Sequence, residues 1–261
     1  MSDAVVIFSG GPDSTAATLW AIEKGFDTEL LTFQFAGQKQ YGEIFAAMVI
    51  ARLLNRPHTI LDFKSPLDSF SPMMRIMMHA GTPKLGIDKS KPHLMPFGSG
   101  VILATASSFA IYNGIYHLIW GATKDDGLDN NEYTQEFANR FASLVSHSLG
   151  MEFKITVPFG ETHKPLVMRQ FSERGELFAS TWSCKISSVT QCGECIACVA
   201  RRASVELAGI NDTTQYANMN FALPFALSEM SDISEFTEDD WKKLGEVIIL
   251  KSPRDRDVPT P

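Results

Sequence analysis

The apolar run Ala4 to Phe8 ends abruptly in Ser9-Gly10-Gly11-Pro12-Asp13-Ser14-Thr15, after which apolar residues recur at helical spacing. A short β-branched run of this kind reads as a buried parallel strand. Two glycines directly behind it let the backbone turn tightly and bring its N–H groups close to an anion. The helix that follows, with Asp13 or Ser14 as N-cap and Ala16, Leu19, Trp20 and Ile22 on its apolar stripe, adds the positive end of its dipole. Strand, glycine loop and helix in that order make a phosphate-binding loop. No lysine follows the glycines, so the Walker A pattern is not met, and the spaced glycines of a dinucleotide fingerprint are missing too. The rival reading is a glycine-rich turn that merely joins strand to helix.

At 261 residues the chain can bury one sizeable core, which suits one α/β domain with a small appendage. Lys plus Arg number 23 against 30 Asp plus Glu, a net charge of −7 that argues against broad binding to nucleic acid or anionic membranes. Met1-Ser2-Asp3 leads straight into the first strand without the basic and apolar regions of a signal peptide, and no apolar run reaches membrane-spanning length. A cytoplasmic protein with no nucleic-acid and no membrane partner is therefore expected. All four cysteines lie between Cys184 and Cys198, as C-x7-C-x2-C-x2-C, with Gly193 where a tight knuckle needs it. Four thiolates so grouped at Cys184, Cys192, Cys195 and Cys198 suit tetrahedral zinc in a reducing compartment. An iron–sulfur cluster and redox or disulfide use are the two rivals. With zinc, four thiolates leave no open coordination position, so the metal reads as structural.

Further along, Glu29 to Phe35 reads as a second strand, Tyr41 to Leu54 as a helix carrying Ile44, Met48 and Ala51 inward, and His58 to Leu61 as a third strand. Strands alternating with helices of this length indicate right-handed βαβ units and a parallel sheet. Between Asp62 and Pro96 the pattern lapses, broken by Pro66, Pro72, Pro83, Pro92 and Pro96 and by a methionine-rich piece at 73–78; such a segment reads as a lid or substrate-facing loop. A helix over 99–112 and a strand over 116–121 follow, and the polar segment Ala122 to Asn131 falls at the carboxyl edge of the sheet, where ligands of open α/β sheets bind. Glu132 to Leu149 reads as a helix with Tyr133, Phe137, Phe141, Leu144, Val145 and Leu149 recurring at three and four residues. Phe153 to Val157 is a fifth strand and Lys164 to Arg174 a further helix, and the helix from Cys195 to Leu207 is expected to turn Arg201 and Arg202 outward. The expectation is a Rossmann-like (HUP/PP-loop) parallel five-stranded sheet with helices on both faces over residues 1–180, a four-cysteine zinc knuckle and helix over 181–210, and a weakly patterned extension over 211–261 whose last ten residues are disordered.

The loop resembles SGGxDS, the signature of the PP-loop ATP pyrophosphatases, at every fixed position. Joined to the four-cysteine knuckle it narrows further. The chain is similar to the 7-cyano-7-deazaguanine synthase (QueC) family from about Val5 to Arg202. The supporting pieces are Ser9 to Thr15, Thr32-Phe33, Gly37-Gln38-Lys39 with Glu43, Ile119-Trp120-Gly121, Glu136-Phe137, His163-Lys164, and Thr181-Trp182-Ser183-Cys184 leading into the cysteine cluster. The resemblance implies a ligase of the ATP pyrophosphatase type that adenylates the carboxylate of 7-carboxy-7-deazaguanine and passes it to an amine, with AMP and pyrophosphate as products. It implies ATP, Mg²⁺ and Zn²⁺ as cofactors, a small-molecule deazaguanine substrate and a homodimer. Catalytic candidates are Asp13, Ser14, Lys39 and Lys164; candidates for nucleotide and substrate binding are Ser9, Gly10, Gly11, Asp13, Ser14, Thr15, Phe33, Gly121, Asp125 and Asp126. In this scheme the loop amides and hydroxyls hold the leaving pyrophosphate, Asp13 orients the bridging Mg²⁺, and the two lysines neutralise phosphate charge.

Two segments depart from the family. Where synthases begin the helix after the lid with Pro-Gly-Arg-Asn, this chain reads Pro96-Phe97-Gly98-Ser99-Gly100, and in place of Tyr-Pro-Asp-Cys-Arg it reads Asn130 to Gln135. A guanidinium lost from a carboxylate pocket removes a bidentate contact of on the order of 1.5–3 kcal/mol, so the acyl half of the site is expected to be rebuilt. Divergent QueC-like proteins of antiphage operons, including type IV CBASS, join a deazaguanine to a protein amine, and the chain resembles that group as well; the acceptor is then ammonia or a protein amine. A tRNA-modifying PP-loop enzyme and a non-catalytic nucleotide-binding module are the alternatives. The acidic charge speaks against the first and the intact Ser9, Asp13 and Ser14 against the second.

Overall fold

The computed structural model describes residues 2–35, 41–63, 97–171, 173–187, 189–218, 236–241 and 243–244. The segment between Asp62 and Pro96 and the final ten residues therefore lie almost wholly or wholly outside the described residues, as does Lys39.

Five parallel strands, β1 (Ala4–Ile7), β2 (Thr28–Phe35), β3 (His58–Phe63), β4 (His117–Trp120) and β5 (Lys154–Thr156), make one sheet in the order β3-β2-β1-β4-β5. Alternation along each strand sends side chains to two cores. Ala4, Val6, Leu30 and Ile119 face one, packed by α1 (Pro12–Glu23), α2 (Tyr41–Leu53) and the C-terminal helix; Val5, Leu31, Leu118 and Ile155 face the other, packed by α3 (Gly98–Tyr112) and α5 (Gln135–Leu149). Both faces are covered, so the central strand β1, Ala-Val-Val-Ile, is apolar along its whole length, as the interior of a parallel sheet requires. The fold is the Rossmann-like parallel five-stranded sheet that the alternation of elements indicates. The chain winds from β1 out to β3, then returns to the other side of β1 as β4. That reversal opens a crevice at the carboxyl ends of β1 and β4.

Several local expectations are corrected. Helix α1 starts at Pro12 with Gly11 as N-cap, so Asp13 and Ser14 sit inside the first turn. Proline is pre-set for this position, because its φ is already helical and it has no N–H to leave unpaired. Helix α2 buries Gly42, Ala46, Ala47, Ile50 and Ala51 and turns Met48 out. Both of its sides are apolar, so periodicity alone could not choose, and the small residues won because they allow close packing. The segment Ala122 to Asn131 contains a short helix, α4 (Lys124–Asp129), and a 3₁₀ turn at Asn131–Tyr133 precedes α5, whose N-cap is Thr134. On α5, Ala138 and Ala142 are the buried residues and Leu144 is exposed. The helix expected over 164–174 is α6 (Lys164–Met168) followed by a 3₁₀ turn at Arg169–Phe171 and α7 (Gly175–Ala179).

Arg201 is the largest correction. On α8 (Ile196–Ala208) it points inward and is 2% exposed. Its guanidinium lies over the Phe178 ring and donates to the Phe178 carbonyl, Thr181 Oγ1 and Thr214 Oγ1, at 3.0, 2.6 and 2.9 Å. Five fixed donors let one arginine tie together three chain segments around the knuckle. No pattern in the sequence marks a buried arginine, since arginine is exposed by default.

Candidate active site and metal centre

The phosphate loop is held by its own hydroxyls and by neighbours on both sides. Ser9 Oγ and Ser14 Oγ lie 3.2 Å apart; Ser9 Oγ accepts from Gly11 N, and Ser14 Oγ accepts from Ser9 N while donating to the Gly11 carbonyl. Thr15 is fully buried and its hydroxyl donates to the Gly11 carbonyl at 2.8 Å, which shapes the first turn of α1. Gly10 has φ +75°, and a Cβ there would lie 2.6 Å from Ala47 N on α2. Gly121, just past β4, meets α1 so closely that a Cβ would stand 2.8 Å from Ser14 Cα. These two positions let the loop sit between α2 and β4. Gly10→Ala combines left-handed backbone with a backbone clash and is expected to cost more than about 2 kcal/mol in urea unfolding. A native midpoint would show that the loop can move aside.

Into this crevice α6 delivers Lys164. Its Nζ lies 3.0 Å from Asp13 Oδ2, with both side chains only about a quarter exposed, at 24% and 22%. Asp13 Oδ1 is buried and has no hydrogen-bond partner among the described residues. Burial raises the Asp13 carboxyl above the ordinary carboxylate range, with Lys164 pulling it back down. Burial disfavours the Lys164 charge, but Asp13, Asp126 and Asp125 outweigh it and hold the ammonium well above its usual value. The site thus carries a fixed cation beside a buried carboxylate oxygen that has no hydrogen-bond partner among the described residues.

Asp125 and Asp126 sit on α4 near this pair. Asp125 spends both oxygens on the N-terminus of α6, accepting from Lys164 N at 2.6 Å and contacting His163 Nδ1 at 2.9 Å. Asp126 Oδ2 accepts from the amide and hydroxyl of Thr123, capping α4. Phe33 is buried in the core on the β2 face, 8% exposed. The structure therefore gathers Ser9, Gly10, Gly11, Asp13, Ser14, Gly121, Asp125, Asp126 and Lys164 at the carboxyl ends of β1 and β4. It sets Thr15 and Phe33 behind them in the interior.

The segments around Phe97–Ser99 and Glu132 are partners. Glu132 Oε1 accepts from Phe97 N at 3.0 Å and Oε2 from Ser99 N at 2.9 Å, so this carboxylate caps the N-terminus of α3. Tyr133 packs on Trp120 with ring centroids 5.3 Å apart. Burial raises the Tyr133 phenol above its ordinary value, partly offset by its hydrogen bond with Ser99. Glu132 was not a candidate on sequence grounds, because its partners come from a helix 33 residues earlier.

At the other end, the Sγ atoms of Cys184, Cys192, Cys195 and Cys198 all lie within 4.8 Å of one another, and Cys192 and Cys198 are 3.8 Å apart. A tetrahedron with Zn–S of about 2.3 Å has S···S edges of about 3.8 Å, so the residues fit that ion. The amides of Ser187 and Cys192 point at Cys184 Sγ and that of Cys195 at Cys192 Sγ. Such N–H groups stabilise thiolates. This is a four-cysteine metal-binding cluster. Trp182 couples it to the phosphate loop: its backbone N donates to the Gly10 carbonyl at 2.9 Å and its indole N–H to the Cys184 carbonyl at 2.8 Å. Lys185 adds an ion pair to Glu43 on α2 at 2.8 Å.

With this geometry in hand, the family model described as "Queuosine biosynthesis protein QueC" matches residues 3–209. The chain belongs to the QueC family. That places it among ATP-using PP-loop enzymes, and the QueC match spans both the phosphate loop and the cysteine cluster. Relatives include 7-cyano-7-deazaguanine synthase 2 of Colwellia psychrerythraea, 27% identical over 83% of this chain and all of that one. Another is 7-cyano-7-deazaguanine synthase of Nitratiruptor sp., 27% identical over 82% of this QueC-family chain and 98% of the relative. Among solved structures, NMN synthetase from Francisella tularensis aligns with a TM-score of 0.46 at 12% identity, covering all of this chain and 90% of that one, a likeness that bears no functional weight. No helix of the described residues is long and apolar enough to cross a membrane.

Proposed function

We propose that the protein uses ATP to activate the carboxylate of 7-carboxy-7-deazaguanine and couples it to an amine. The observation that carries this reading is the Lys164–Asp13 pair beside the phosphate loop, in a chain of the QueC family whose loop has no Walker lysine. In the balanced reaction a substrate carboxylate oxygen bonds to the α-phosphorus of ATP and pyrophosphate leaves; the amine then bonds to the acyl carbon, AMP leaves, and the amine loses a proton. Activation is needed because a free carboxylate repels nucleophiles.

The amides of Gly10 and Gly11 and the hydroxyls of Ser9 and Ser14 are suited to hold the departing pyrophosphate. Lys164 supplies a fixed positive charge to the same phosphates, and Asp125 and Asp126 keep it protonated and aimed. Asp13 Oδ1, buried without a partner among the described residues, fits a Mg²⁺ ligand, and that ion would neutralise phosphate charge when bound. Zinc on the four cysteines would supply folding energy and keep Trp182 against Gly10.

A second reading concerns the acceptor. Glu132 places a negative charge at the N-terminus of α3, where the synthases' sequence pattern has an arginine. That charge would attract an ammonium, which sheds a proton before it attacks, and it serves ammonia and a protein amine alike, so this reading keeps both acceptors, including the antiphage-type conjugation. Incubation with ATP, Mg²⁺ and 7-carboxy-7-deazaguanine is expected to give AMP and pyrophosphate, and mass spectrometry a new amide on ammonia or on a candidate protein. ADP and phosphate as products would overturn the phosphate chemistry; ready conversion of ammonia through to the nitrile would make the protein a plain synthase.

A further inference from the structure

The described residues 236–241 and 243–244 lie beyond the family match, which ends at 209, yet Trp241 among them packs against the residue next to Lys164. Trp241 is buried, 6% exposed, and its ring lies parallel to the His163 imidazole, with centroids 4.2 Å apart and an interplanar angle of 11°. Behind it, Leu166 on α6 and Ala203 on α8 close an apolar cluster with Trp241 and Leu244. Glu238 pairs with Lys124 at the start of α4, so the segment grips α4 and α6 together.

His163 is 4% exposed and its Nδ1 meets Asp125 Oδ1, while Nε2 is buried without a partner among the described residues. Among the described residues nothing polar holds that edge of the ring, so its orientation rests on the Asp125 contact and on the stack against Trp241. The other Asp125 oxygen accepts from Lys164 N at 2.6 Å. A continuous line of contacts therefore runs from Trp241 through His163 and Asp125 to the backbone of Lys164, whose ammonium meets Asp13.

We infer that the C-terminal segment is a clamp and that Trp241 is a positioning residue for Lys164, holding its ammonium over the phosphate loop for ATP. A small displacement is enough to matter, because placement of a charge by even about 1 Å changes what it contributes to a bound polyphosphate. The inference rests on the assignment of Lys164 to the ATP phosphates, and not on the identity of the acyl substrate.

The test is a double-mutant cycle on the full chain, read by calorimetric binding of Mg²⁺·ATP without acyl substrate. Trp241→Ala is expected to weaken ATP about tenfold, Trp241→Phe to restore most of it by keeping a flat ring on His163, and Trp241→Ala added to Lys164→Ala to weaken binding no further than Lys164→Ala alone. Melting curves of every variant separate this from unfolding, since a loss of fold would also be carried by the Phe variant only in proportion to its lowered midpoint. Additive losses in the double variant, or native affinity in Trp241→Ala, would overturn the clamp while leaving the lysine's role intact. Native ATP affinity in Lys164→Ala would overturn both.

Discussion

Lys164→Ala is expected to lower the rate of ATP cleavage about 10³-fold while leaving the melting temperature within a few degrees of native. The size follows from what the side chain does. Its ammonium lies 3.0 Å from Asp13 in a crevice that is mostly closed to water, and a preorganised charge in such a place stabilises a developing anion far more than a solvated lysine does. Removal of one such group typically costs 10²–10³ in rate, about 2.7–4 kcal/mol, and here no other lysine or arginine among the described residues is shown paired with Asp13. The fold should survive, because Asp125 grips the backbone of residue 164 rather than its side chain. Asp13→Ala is expected to be comparably slow for a different reason: it deletes the carboxylate proposed above to hold Mg²⁺ and leaves Lys164 without its partner. Steady-state assay of pyrophosphate release checks both. A rate within tenfold of native for Lys164→Ala would mean that the phosphates are neutralised elsewhere.

Elemental analysis of the purified protein is expected to find one zinc per chain, and chelation or Cys195→Ser to unfold the region from Thr181 through α8. Structural zinc contributes on the order of 10 kcal/mol of binding free energy, comparable with the whole stability of a domain. Without the ion, Cys184, Cys195 and Cys198 are left as buried thiols crowded together with Cys192. The loss should reach the active site, because Trp182 joins the Cys184 carbonyl to the Gly10 carbonyl. ATP cleavage is therefore expected to fall with the metal content and to recover when zinc is restored. Iron in the protein, or a native melting profile after complete chelation, would overturn the assignment.

Much of the site could be read from spacing, because its parts are local. The hydroxyls of Ser9 and Ser14 make hydrogen bonds that close within five residues of the loop, and Cys192, Cys195 and Cys198 follow one another on a single knuckle. What remained hidden was decided by distant partners. Met48 and Ile44 looked as apolar as the face that α2 does bury, until Gly10 demanded small residues beneath it. Arg201 gave no sign of being interior, since its acceptors at Phe178, Thr181 and Thr214 come from other segments. Glu132 and the helix it caps, and Trp241 and the imidazole it covers, are likewise far apart in the chain.

By itself the amino-acid sequence determined the alternating α/β class, the phosphate loop and the cysteine cluster, because hydrophobic period, glycine placement and ligand spacing are properties of short windows. Only the tertiary structure decided that Lys164 meets Asp13, that Asp125 anchors the residue beside it, and that Glu132 fills the end of α3. A charge has no directional period along a chain; its partner is whichever opposite group the packing of the sheet and helices brings within a few ångströms.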